Sequence, residues 1–514
     1  MRSTLHNAVA LLAAAGPILG SPAGDDMSAF LDSINVNRAA LPSSLDGRAD
    51  SGCPSACDIL HTGFPDRIAT VAANESIYTQ EAHAHWSASA WTAPTCIYTP
   101  TTLDELKAAV LTAQRTQCKF AVRSGGHSPF HGFAGIDEGL LISMAEFKDL
   151  EYNNDTQVQR SGMGNRWGDI YKSLIETGRL VVGGRLNDVG LALAGGGGLS
   201  HLSSLYGWVC QNVISYEVML ANGSHVEASY EKNSDLYYGL RIGNNNFGIV
   251  THLNQRTYPM SKVWGGTVIY SGDKAKAFMA ALADFQAEGQ LDGKAAILPY
   301  LALTNDTIFA TFAYLDPTVK PNAFDAFFQI PNVTDLTMVH DSFYDLANAG
   351  LPPLPRWTYA ATSALLDKDT YVGIVDIISS FNDRMYMIAS GTLALMTQPI
   401  SKNMVLASNL RVGGDPLGAR REAQLWMGVT AGWANGDDDA AVFQIVQDCT
   451  DAIEAYTKKT GFYDPLIFVN DAFPTQKPLQ SFGADSYAKL RAASAKYDPD
   501  GVFQKLVPGG FKLN

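Results

Sequence analysis

Charge is scarce in this 514-residue chain, and positive charge scarcer still. Asp, Glu, Lys and Arg make up 17% of it, with 37 Lys plus Arg against 51 Asp plus Glu and a formal net charge of −14. No basic run occurs anywhere, which argues against a nucleic-acid partner, because a duplex binder needs a concentrated basic face. Past the N-terminus no apolar run reaches the ~18 residues of a membrane-spanning helix, so no stable membrane insertion is expected. The six cysteines (Cys53, Cys57, Cys96, Cys118, Cys210 and Cys449) have no metal-site spacing. Cys53 and Cys57 are separated by three residues and lack a matching second pair or a His cluster, so no metal is predicted. Gly-x-Ser-x-Gly and His-Glu-x-x-His are absent, as is a clean Gly-x-Gly-x-x-Gly between strand and helix, which disfavours a hydrolase and a nicotinamide-dependent dehydrogenase. There is no internal repeat and no low-complexity segment.

Apolar residues make up 46% of the chain, enough for a sizeable core in two or more domains. Residues 1–23 read as a signal peptide: Arg2 and His6 precede the apolar stretch Ala8 to Ala15, and Ser21-Pro22-Ala23 offers small residues for cleavage. Five Asn-x-Ser/Thr triplets, at Asn74, Asn154, Asn222, Asn305 and Asn332, agree with a secreted, extracellular and N-glycosylated protein. In that compartment the cysteines are expected to form disulfides, with Cys96–Cys118 the favoured pair because the two flank one helix.

An irregular Ser/Asp/Gly/Pro-rich leader is expected over 24–60. Cys96 to Tyr98 reads as a strand, and Thr102-Leu103-Asp104-Glu105 as a capping box. Leu103, Leu106, Val110 and Ala113 mark one face of a helix to about Arg115, and Lys119 to Val122 is the next strand. A second glycine cluster follows, Gly183-Gly184, Val189-Gly190 and Gly195 to Gly198. A four-glycine run among leucines implies close approach to the backbone, since it is otherwise entropically costly. Residues 263–465 lack glycine motifs and alternate strand-like runs (Gly266 to Tyr270, Ile308 to Tyr314) with helical ones (Lys274 to Glu288, Asp439 to Thr457). They read as a separate α+β domain. The tail carries a helix (Ser486 to Lys496) and the turn Tyr497-Asp498-Pro499.

The most informative stretch is Arg123-Ser124-Gly125-Gly126-His127-Ser128, directly after the apolar strand. Two glycines let backbone N–H groups turn toward an anion, while the Arg and Ser side chains add donors. Phosphate binding has no need of His127.

That segment resembles the flavin-attachment motif of the berberine-bridge-enzyme-like FAD-linked oxidases, in which the equivalent His bonds covalently to a flavin methyl group. Together with Pro94 to Ile97, the glycine run, Leu205 to Trp208, Asn246 to Thr251 and Tyr497 to Pro499, it is similar to the fungal branch of that family. The resemblance implies an α+β fold: a two-subdomain flavin domain of the p-cresol methylhydroxylase/vanillyl-alcohol oxidase type over 61–262, an α+β substrate domain over 263–465, and a segment 466–514 returning to the flavin domain. It implies FAD with a single link through His127. Arg123, Ser124, Gly125, Gly126 and Ser128 would hold the pyrophosphate, and Val189, Gly190, Gly196, Gly197, Gly198, Val250 and Asn470 would line the rest of the flavin. A second tether seen in some relatives needs a cysteine just before the Val-Gly pair, where this chain has Arg185-Leu186-Asn187-Asp188.

Relatives often carry Asn-Tyr in the late strand; here the pair is Asn470-Asp471, so Asp471 becomes the candidate general base, with Tyr206 as the second catalytic candidate. A valine at position 189 looks like the oxygen-reactive type. The implied reaction is hydride transfer from a hydroxylated small molecule, a secondary metabolite by preference, to flavin, which dioxygen reoxidises to give hydrogen peroxide. Trp357 to Tyr359, Tyr314, Phe343 and Tyr344 are candidates for the substrate cleft. A carbohydrate oxidase and a flavin-free binding protein on the same scaffold are the alternatives.

Overall fold

The computed structural model describes residues 26–41, 52–348 and 354–513. The expected signal peptide lies outside the described residues. Three sheets make up the β structure. The first has four strands in the order Ile68–Ala69, Cys96–Tyr98, Leu140–Ser143 and Phe120–Arg123. Both Cys96–Tyr98 and Phe120–Arg123 run parallel to the central Leu140–Ser143. Helix Leu103–Thr116 links the two outer parallel strands; Thr102 Oγ1 caps it by accepting from Glu105 N at 3.2 Å. Glu105 reaches back one residue further than a capping box requires, accepting from Thr101 N at 2.6 Å.

The leader is not irregular throughout. Asp26–Ser33 and Cys53–Gly63 are helices. In the second, Cys53, Ala56, Cys57, Ile59 and Leu60 are buried, a helical stripe that stays hidden unless the cysteines are counted as apolar.

The expected Cys96–Cys118 bridge is corrected to Cys53–Cys118 and Cys57–Cys96. Cys96 and Phe120 both register with Leu140 from opposite sides. Two strand spacings of ~4.8 Å separate those flanking strands, beyond the usual Cα span of a disulfide. Cys53 and Cys57, one helical turn apart, instead reach one flank each. Cys210 and Cys449 are buried free thiols.

The second sheet runs Leu150–Asn153, Val158–Gly162, Ile249–Pro259, Val213–Met219, His225–Ser229, with Arg179–Val181 also pairing with Ile249–Pro259. The first two sheets meet where two glycines touch. A Cβ on Gly125 would lie 2.5 Å from Gly190 Cα, and one on Gly190 would lie 2.7 Å from Gly125 Cα. Only hydrogen fits on either backbone.

The third sheet has nine strands, drawn from Val263 to Asp464, with Thr392–Ile400 and Gln424–Trp433 at its centre. Its helices match the expected ones within a few residues: Ala275–Ala287 and Asp439–Thr460, joined by Lys368–Ser379. Period-2 alternation assigns the two faces. Ala295, Ile297 and Leu301 enter the core shared with the helices, whereas Leu298 and Tyr300 face a cavity.

The tail returns to the first two sheets. Helix Ala484–Tyr497 is tied to Asp235 by Lys496 and by the Tyr497 hydroxyl, at 2.5 and 2.6 Å. Asp498 accepts from Val502 N and Phe503 N, and Phe120 N donates to the Leu506 carbonyl at 2.8 Å. Phe503 and Val507 thereby complete the core beneath the first sheet. All five sequon asparagines are exposed. No helix among the described residues is long and apolar enough to cross a membrane.

Two outcomes test this account. Non-reducing peptide mapping is expected to recover Cys53 linked to Cys118 and Cys57 linked to Cys96, with no Cys96–Cys118 peptide. Gly190→Ala is expected to lower unfolding stability by about 1–3 kcal/mol in a denaturant titration, because the added methyl meets backbone and no side chain that could yield.

Candidate active site

A cavity of about 390 Å³ with mainly apolar walls opens where the three sheets converge. One wall is the turn after strand Phe120–Arg123. The alternation of that strand decides which side chains enter: Val122 and Ser124 face the cavity, while Arg123 points away. Ser124, Gly125, Gly126, His127 and Ser128 all line the space. Gly126 takes a φ of +65°, and a Cβ there would lie 2.6 Å from the Ala84 carbonyl oxygen, so glycine is required on two counts.

Arg123 is a correction to the expected phosphate cradle. Its buried guanidinium pairs with the Glu81 carboxylate, donates to the Glu81 carbonyl and reaches Ser143 Oγ at 3.2 Å. Its charge is neutralised behind the turn. Ser124 is also committed, donating its hydroxyl to the Met163 carbonyl, and Ser128 Oγ accepts from Phe130 N at 3.4 Å. The turn therefore offers mainly backbone donors to a ligand.

His127 is half-buried and stacks on Trp86 with ring centroids 4.6 Å apart and planes 6° from parallel. Burial, reinforced by the positive field of Arg166, lowers its pKa to about 4. The imidazole is neutral throughout the physiological range, which leaves a nitrogen lone pair available as a nucleophile.

Val189, Gly190 and Val250 line the cavity as expected, with Gly195. Gly196, Gly197 and Gly198 do not, and their expected contact with the cofactor is corrected. A Cβ on Gly196 would strike Asn470 Oδ1 at 2.2 Å, one on Gly197 would meet Leu417 and one on Gly198 Val209. Gly197 and Gly198 also take φ values of +87° and +77°, so the run exists to turn the chain and admit its neighbours. Asn470 borders the cavity; its amide donates to the Leu193 carbonyl at 3.1 Å, and its buried Oδ1 has no protein partner.

Tyr206, the second catalytic candidate, is also corrected. It stacks on Tyr258 at 3.8 Å with Arg411 over its ring, and does not border the cavity. Asp471 does border it. One carboxylate oxygen accepts from Gln398 Nε2 at 2.6 Å, and Gln398 Oε1 in turn accepts from Arg185. Burial raises the Asp471 pKa to about 6 against the opposing pull of Arg185 and Gln398.

Of the aromatic residues expected to line the cleft, Trp357 and Tyr359 do so. Tyr314 instead donates to Asp292 at 2.7 Å, Phe343 packs on Tyr171, and Tyr344 offers its carbonyl to Asn187. Trp86, Tyr300 and Asn245 line the cavity without any motif to announce them, and Arg185 drew notice only as the absence of a cysteine. Period-2 alternation along Ala295–Ala302, combined with knowledge of which face the helices cover, is the signal that finds Tyr300.

The FAD binding domain family matches residues 94–229. The chain is 50% identical over 489 residues to a bifunctional solanapyrone synthase of Alternaria solani, covering 95% of this chain and 94% of that protein. It is 33% identical over 523 residues to an FAD-dependent monooxygenase of Arthrobotrys oligospora, with 99% of each covered. Among solved structures it is similar in fold to 6-hydroxy-D-nicotine oxidase from Arthrobacter nicotinovorans, with a TM-score of 0.71 at 16% identity over 87% of this chain and 97% of that one. A berberine-bridge-like enzyme of Physcomitrella patens gives 0.70 at 21% identity with the same coverage. At that identity and coverage the chain belongs to the fungal FAD-linked oxidoreductases, on the fold of the berberine-bridge-like enzymes.

Proposed function

We propose that the protein is a secretory-route oxidase that takes a hydride from a hydroxylated small molecule onto FAD tethered through His127 alone, with dioxygen as the final acceptor. The observation that carries the reading is the placement of a neutral imidazole and a buried carboxylate on one apolar cavity. The residues present fit the flavin. The bare backbone of Gly125 and Gly190 leaves room for a pyrophosphate, Val189 and Val250 offer an apolar surface to the ring, and the unpartnered Asn470 Oδ1 awaits a donor.

When bound, FAD supplies a two-electron acceptor that dioxygen can recharge, releasing hydrogen peroxide. The chain's own groups do the rest. His127 anchors the cofactor, which a secreted protein cannot recover once lost. Leu186 and its neighbours provide no thiol for a second bond. Asp471 accepts the proton of the substrate hydroxyl, because burial holds its affinity for protons near that of a general base working just below neutrality. Val189, a small apolar residue on the cavity wall, would leave room for dioxygen, which supports oxidase over dehydrogenase behaviour. The aromatic, mainly apolar walls favour a flat metabolite over an oligosaccharide, and the likeness to a solanapyrone synthase supports that choice. Two disulfides and five exposed sequons support passage through an oxidising, glycosylating compartment.

Acid-precipitated protein is expected to stay yellow, with the cofactor mass on the peptide containing His127. His127→Ala is expected to release all its flavin on precipitation. Colourless wild-type protein would overturn the reading. In an alcohol-dependent hydrogen peroxide assay, kcat/KM is expected to fall as pH drops through about 6, where Asp471 takes up its proton. Asp471→Asn is expected to lose that inflection and about 10²-fold or more in rate at normal flavin content; full turnover by the variant would remove Asp471 from the mechanism.

A further inference from the structure

One charge on the cavity wall is left without a task. Arg185 follows strand Arg179–Val181, is half-buried and borders the cavity. Among the described residues its guanidinium makes one hydrogen bond, to Gln398 Oε1, and no direct ion pair. A guanidinium carries five N–H donors, so most of them have no protein acceptor. Asp471 is on the far side of the Gln398 amide and acts on Arg185 only through space. Donors that open onto a mainly apolar cavity are best completed by an acceptor on the ligand that fills it.

The neighbours of Arg185 narrow the ligand's chemistry. Tyr300 and Tyr359 line the same cavity as Asp471 and Arg185. Arg185 and Asp471 thus border one aromatic-walled space, each hydrogen-bonded to the Gln398 amide. A substrate whose hydroxyl faces Asp471 must present something else to Arg185. Planar guanidinium donors are best met by a planar oxygen acceptor.

We infer that Arg185 is the substrate-recognition residue of this site, and that the substrate is a flat, conjugated alcohol carrying an acyl oxygen or its anionic form near the carbinol. The inference rests on the flavin-oxidase reading and adds to it the class of substrate. A simple sugar lacks such an oxygen. A site built around a buried donor discriminates strongly against analogues that leave the donor unpaired.

The test uses the purified yellow holoenzyme and three non-reacting probes, followed by the shift they cause in flavin absorbance: acetophenone for a carbonyl, benzoate for an anion and ethylbenzene for a frame with neither. Wild-type protein is expected to prefer an oxygen-bearing probe over ethylbenzene. Arg185→Met is expected to weaken that probe at least tenfold and to leave ethylbenzene within twofold. Loss of benzoate binding alone assigns an anionic group, and loss of acetophenone binding assigns a carbonyl. Arg185→Lys keeps the charge without the planar fork and is expected to weaken the same probe several-fold; it carries the test if the methionine variant fails to retain flavin. Equal affinities in wild type and variants, or no preference for oxygen in the wild type, overturns the inference. A colourless wild type would count against the flavin reading instead.

Discussion

The contact between Gly125 and Gly190 is the constraint around which the site is arranged. One glycine follows a parallel strand of the first sheet, and the other follows a strand paired into the second. Their backbones meet so closely that a methyl group on either would fall within 2.7 Å of the other's Cα. Because neither carries a side chain, the His127 turn and the Val189–Gly195 segment open onto one cavity. An alanine at either place would wedge the two units apart beside the cavity.

Burial then shapes the chemistry, and it acts in opposite directions on acid and base. It favours the neutral form in each case, lowering the imidazole of His127 to about 4 and raising the carboxyl of Asp471 to about 6. The first change leaves the imidazole neutral, and the second brings the carboxyl's titration close to neutrality. Both follow from the same exclusion of water. Gln398 keeps Arg185 and Asp471 from collapsing into a direct ion pair, since its amide accepts from one and donates to the other. A direct pair would satisfy both charges and leave neither for substrate.

The nine-stranded sheet divides its labour by face. Helices Ala275–Ala287, Lys368–Ser379 and Asp439–Thr460 cover one side, while the other presents Leu298, Tyr300, Tyr359, Met396 and Thr430 to the cavity. The glycine turns on the facing wall hold their places through backbone geometry, which tolerates little change. The opposite wall is a row of side chains that a strand can exchange without altering its hydrogen bonding.

Much of this was legible along the chain. The strand, helix and strand of residues 96–123, the glycine-rich turns, the helices of the 263–465 region and the returning tail depend on local periodicity and turn chemistry, so their signals lie within short windows. His127 and Asp471 stood out for the same reason, each beside a recognisable motif. The misses share one cause. Arg123, Tyr206 and Gly196 to Gly198 sit in the right segments but face other partners. The cysteine pairing turned on how far apart two strands lie across a third, a distance no spacing along the chain contains. The sequence by itself determined which segments border the cavity, because backbone shape is encoded by near neighbours. The tertiary structure decided which side chains reach it, because a side chain's direction is settled by what packs behind it: Glu81 behind Arg123, Tyr258 against Tyr206, and Gln398 between Arg185 and Asp471.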